Sequence, residues 1–117
     1  MSIASKVKVC CLCEQWASGG IESFLTNILV HMNFSLLEID IVAVTVNKSI
    51  FTSELSKYGI RIFELSGDRN NFAGNRKMFI QLCKKRNYDV IHVNAFHGGL
   101  LYYLAVAKKM GIPVRIA

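Results

Sequence analysis

No stretch of the sequence stays apolar over the ~18 residues that a membrane-spanning helix needs, and the first six residues, Met1 to Lys6, lack the apolar centre of a secretion signal. Neither a membrane-spanning helix nor a secretion signal is expected in this sequence, and a cytosolic site is expected, with membrane association at most peripheral. The four cysteines lack any metal-ligand pattern: Cys10, Cys11 and Cys13 crowd in or beside one apolar run, Cys83 stands alone, and no histidines at ligand spacing accompany them. No metal site is expected, and the thiols read as small, reduced core residues. A P-loop is excluded because no lysine follows the paired glycines at 19 and 20. A dinucleotide site would need Gly-x-Gly-x-x-Gly after the first strand and an acid ending the second, which instead ends in Asn47 and Lys48. Cys13 before a loop has the placement of a phosphatase nucleophile, yet an arginine must close such a loop around the phosphate, and Gly19 stands there. Acids are few, 8 against 14 lysines and arginines, and the net charge of +6 favours anionic partners while also serving solubility.

What is present is a core. With 117 residues and 52% hydrophobic content, the chain is one compact domain. Val7 to Leu12 reads as a buried strand that leads through a short loop into Ser18-Gly19-Gly20-Ile21-Glu22. Ile21, Phe24, Leu25, Ile28, Leu29 and Met32 then recur at helical spacing. Ser18 is placed to cap that helix, and the two glycines let another molecule approach its first amides, which have no partner within the helix and favour an anion. A second strand is expected over 38–46, a short helix over 52–58 stopped by Gly59, and a third strand over 60–65. Residues 66–71 read as a loop. A helical stripe at Met78, Phe79, Leu82 and Cys83 ends in basic residues, and a fourth strand covers 88–94. A helix over 99–110 stops at Gly111-Ile112-Pro113 before a last strand from Val114.

Strands separated by helices imply βαβ units: a Rossmann-like α/β/α fold with a five-stranded parallel sheet in the order 3-2-1-4-5. Ligands of such sheets lie beyond the carboxyl ends of the strands, where the order reverses between strands 1 and 4. That places residues 14–20 beside residues 94–99. Lys84, Lys85, Arg86, Lys108 and Lys109 fall at the opposite edge, where they complement helix C-termini as a solvated set. Lys48, Arg69, Arg76 and Lys77 form a basic rim at the mouth, suited to an acidic acceptor or a lipid headgroup.

Three segments carry a resemblance. Gly19-Gly20-Ile21-Glu22, Tyr88-Asp89-Val90-Ile91-His92-Val93-Asn94 and the run from Ala107 to Ala117 resemble, in order and spacing, motifs in the N-terminal lobe of the retaining GT-B glycosyltransferases of the group 1, or family 4, type, which build capsular and cell-wall polysaccharides. The resemblance covers nearly the whole chain and implies an acceptor-side lobe spanning residues 1–117. It implies that Gly19 and Gly20 approach the diphosphate of a nucleotide-sugar donor and that the loop after Asn94 lines the acceptor pocket. Expected partners are that donor, held together with a second lobe, and a saccharide or lipid-linked acceptor, with peripheral membrane contact at the basic rim and no nucleic acid. No cofactor is expected. The family's histidine after the fifth strand and its second lobe lie beyond Ala117, so a fragment or one half of a split enzyme is expected, inactive alone.

The residues themselves leave choices open. Trp16, in the glycine loop, either stacks on a sugar ring or packs as a lid. Asn94 is placed to orient an acceptor hydroxyl, and His97 to bind a sugar hydroxyl or move a proton. His92 reads as structural and His31 as surface. Two other readings compete: a non-catalytic flavodoxin-like or receiver-like module, for which only Glu14 supplies a suitable acid, and a docking subunit that activates a separate catalytic half.

Overall fold

The computed structural model describes residues 6–16, 27, 31–47, 55–94 and 101–117. Five strands form one parallel sheet in the order β3-β2-β1-β4-β5: β1 (Val7–Trp16), β2 (Leu37–Val46), β3 (Arg61–Glu64), β4 (Val90–Asn94) and β5 (Val114–Ile116). Two helices follow β3 and β4, namely α1 (Phe72–Arg86) and α2 (Tyr102–Lys109). The expected order and fold class are those observed. The helix expected over 21–32 lies outside the described residues apart from Asn27, which is helical, and the exposed His31 and Met32 in the turn after it.

β1 is central, and its composition shows why. Cys10 to Cys13 are all buried, because a strand covered on both faces needs apolar side chains at odd and even positions alike. Cys10 and Leu12 pack with Val42, Val44, Ile91 and Val93 beneath Phe79 and Cys83 of α1 and Tyr103, Val106 and Ala107 of α2. On the other face, Cys11 and Cys13 pack with Ile39, Ile41, Ala43, Leu55 and Ile60. All four cysteines are buried, and none is in a disulfide. Burial pushes the thiols of Cys11 and Cys83 up to about 12 and that of Cys10 well above its ordinary value. Cys13 belongs to this core and is not an accessible nucleophile.

Two local devices fix the connections. Asn71 caps α1, its side chain accepting from the Gly74 amide at 3.0 Å, and a Cβ on Gly74 would stand 2.5 Å from that side chain, so the glycine makes room for the cap. Buried Asn75 accepts from the Ser66 amide and donates to the Asp68 carbonyl, both at 3.0 Å, which ties the loop after β3 to α1. After the helical residues Leu55 and Ser56, Gly59 at φ +76° ends the turn as the sequence predicts, its amide donating to the Ser56 carbonyl.

One expected surface charge is internal. Arg86 closes α1 with a side chain only 16% exposed, donating from Nε to Asp40 Oδ2 at 2.8 Å and from Nη2 to Asp40 Oδ1 at 3.2 Å and Glu38 Oε1 at 2.7 Å. Tyr88 donates its hydroxyl to the same Asp40 carboxylate at 2.8 Å. Asp40 is 2% exposed, so its charge requires these partners, and the guanidinium is held by them instead of reaching solvent. The Lys84, Lys85 and Arg86 set is therefore not uniformly solvated.

Candidate functional site

The carboxyl ends of β1 and β4 lie side by side, with Cys13 opposite Asn94 in the register. β1 continues three residues further because β2 stays alongside it, Gln15 opposite Thr45 and Trp16 opposite Val46. This corrects the expectation that the strand ends at Leu12 and that Trp16 stands in a loop. The pairing passes over Glu14, and Trp16 and Val46 both join the core cluster of Cys11 and Cys13. The Asn47 amide then donates to the Trp16 carbonyl at 2.7 Å, holding the end of β1 in place. Trp16 is fully buried, so its ring offers no face for a sugar in this arrangement.

At this reversal point two donors stand out. The indole Nε1 of Trp16 and the amide Nδ2 of Asn94 are both buried and have no hydrogen-bond partner among the described residues. A buried N–H without an acceptor costs about 1–3 kcal/mol, and such groups are uncommon enough in folded proteins to need a cause. Here two of them end adjacent strands, where the fold class places its ligands.

The mouth continues toward the helices. Glu14 lies 3.7 Å from Arg69 Nε, an exposed ion pair that links β1 to the loop after β3. Tyr103, at the start of α2, packs edge-on against Phe79 of α1 with ring centres 5.2 Å apart. Its hydroxyl is pushed upward first by burial and then by nearby Tyr102 and Glu14. Phe72, Ala73 and Arg76 of α1 and Tyr102 of α2 line an open cleft of about 380 Å³. Phe72 is 76% exposed and Tyr102 49%, although both are large and apolar enough to be buried elsewhere.

Of the residues singled out in the sequence, Trp16 and Asn94 are thus brought to neighbouring strand ends. Arg69 pairs with Glu14, Arg76 lines the cleft, and Lys77 is exposed beside it on α1. Gly19, Gly20, Lys48 and His97 lie outside the described residues. Phe72 and Tyr102 were not singled out in the sequence. Their signal is faint: an aromatic directly after the cap Asn71, and a tyrosine pair opening an apolar helix. Among the described residues no group of three or more acids, histidines and cysteines is arranged to hold a metal ion, and no helix is long and apolar enough to cross a membrane.

No family model and no curated protein matches this sequence. Among solved structures, the fold is similar to that in the crystal structure of a glycosyltransferase from Rickettsia africae ESF-5, with a TM-score of 0.60 and 21% identity. The likeness covers 96% of this chain and 29% of that one, so the chain spans less than a third of that protein's length. What the two share is the fold, a parallel Rossmann-like α/β sheet.

Proposed function

We propose that the chain is the acceptor-side lobe of a retaining GT-B glycosyltransferase, which moves a sugar from a nucleotide-diphosphate donor to a saccharide or lipid-linked acceptor. The observation that carries this reading is the pair of buried donors without a partner among the described residues, Trp16 Nε1 and Asn94 Nδ2, at the ends of adjacent strands. Trp16 precedes the Gly19-Gly20 motif in the sequence, and the likeness of fold to a glycosyltransferase supports the same assignment. In this reading Asn94 and His97 hold acceptor hydroxyls, and Trp16 acts from beneath as a buried support of the glycine turn.

The chemistry follows from where charge develops. Departure of a nucleoside diphosphate builds negative charge on its phosphates, and in this reading the helix start that the sequence predicts at Gly19 and Gly20 stabilises that charge with its first amides. The base, ribose and donor sugar belong to a second lobe, so the single lobe has too few contacts for firm donor binding.

Both parts are testable. In the two-lobed enzyme, Gly20→Val is expected to lower turnover a hundredfold or more, about 3 kcal/mol of transition-state stabilisation, with little change in melting temperature. Normal turnover would reduce the glycines to turn residues. Calorimetric titration of the 117-residue chain alone with uridine and guanosine diphosphate sugars is expected to show no saturation at micromolar concentrations. One exposed anion contact contributes about 0.3–1 kcal/mol, against the ~8 kcal/mol of micromolar affinity. Tight binding by the chain alone would mean that the donor site is here, and the lobe assignment would fall.

A further inference from the structure

The cleft between the starts of α1 and α2 has a chemical character of its own. Its volume of about 380 Å³ lies in the ~300–1,000 Å³ range of small-ligand sites, and the described residues that line it bring two aromatic rings, an alanine methyl and a guanidinium. Phe72 and Tyr102 keep much of their ring surface in water, a cost that packing within the chain does not offset. The electrostatics point the same way. α1 and α2 both begin without an acid in the first turn, and α2 has no side-chain cap. Arg76 and Lys77 follow in the second turn of α1, so this helix brings cations and no acid to the cleft.

The nearby described carboxylates are engaged elsewhere. Glu14 pairs with Arg69, and Asp68 Oδ1 accepts the Asn70 amide at 2.9 Å. Arg76 and Lys77 have no ion pair among the described residues.

We propose that this cleft binds an anionic sugar unit of the acceptor, a uronate, with Phe72 and Tyr102 packing against the C–H faces of the ring and Arg76 pairing with the carboxylate. The proposal rests on the preceding reading that the mouth receives an acceptor. Arg76, the guanidinium among the described lining residues, matches a carboxylate in the bidentate geometry that arginine favours. A lipid surface is read by clusters of about 4–8 basic residues, and the two uncommitted cations described here fall short of that.

The test is a nuclear magnetic resonance titration of the whole chain with trigalacturonate and with its methyl ester, which keeps the rings and removes the charge. Trigalacturonate is expected to shift the amide signals of Phe72, Ala73, Arg76 and Tyr102 and to bind at least fivefold tighter than the ester at low salt. Arg76→Gln is expected to erase that ratio while leaving ester binding in place, and Phe72→Ala to weaken both. Both side chains are exposed, so the variants keep the fold, which the spectra report directly. Equal binding of acid and ester, or a silent Arg76→Gln, would remove the anionic preference and leave a sugar-binding mouth standing. If only UDP-glucose or only phosphatidylserine vesicles moved these signals, both the uronate proposal and the acceptor reading would be overturned.

Discussion

The two edges of the sheet treat polar groups in opposite ways. At the amino-end edge, Asp40 is buried and fully matched: Arg86 holds both its oxygens, Tyr88 donates to one of them, Glu38 shares the guanidinium, and the Phe63 ring lies 5.9 Å from it. At the carboxyl-end edge, Trp16 and Asn94 bury donors without described partners, Arg76 has no described counter-ion, and Phe72 stands in water. One edge closes on itself. The other carries unmet hydrogen-bonding capacity, charge and ring surface together, which is the pattern of a place that another molecule completes.

That contrast can be broken, and among single substitutions the largest effect belongs to the closed edge. Arg86→Met leaves the Asp40 carboxylate buried with only Tyr88, and a loss of about 3–5 kcal/mol is expected in urea unfolding. A loss below ~1 kcal/mol would mean that the network is no more essential than a surface pair. Next comes alkaline pH. Cys11 and Cys83 stay neutral in the fold up to about 12, while in the unfolded chain they ionise near the ordinary thiol value of 9.0. The folded state therefore retains protons that the unfolded state loses, and stability falls as pH rises from about 9 toward about 12, by roughly 1.4 kcal/mol per pH unit for each thiol. Unfolding curves that coincide at pH 8 and pH 11 would contradict that burial. The smallest effect is expected at the open edge, where Phe72→Ala and Arg76→Gln should change stability by no more than ~0.5 kcal/mol. A larger loss at either would show that these side chains serve the fold itself, and would sharpen the contrast in the wrong direction for a binding cleft.

The strand order was legible because alternating strand and helix patterns leave few ways to build a parallel sheet. Gly59 was legible for a local reason, a positive φ at the end of a turn. The errors share a cause at longer range. Glu14 and Gln15 look like loop residues, and only the pairing of Gln15 and Trp16 along β2 carries β1 past them. Arg86 looks like an exposed cation at a helix end, and its partner Asp40 lies 46 residues away. The site was legible as a location, since Trp16 and Asn94 do end neighbouring strands. The cleft was not, because it forms only when the starts of α1 and α2, some 30 residues apart, pack against one another.

The register of β1 has a consequence for how the chain is made. Its early residues have β2 on one side, but the other side waits for β4, and the bonds between Lys8 and Asp89, at 2.8 and 2.9 Å, span 81 residues. As the polypeptide emerges from the ribosome at about 5–20 residues per second, several seconds pass between the synthesis of β2 and that of β4. Throughout that interval Val9 to Cys13 present a bare apolar strand edge, the kind of template on which nascent chains pair with the wrong neighbour.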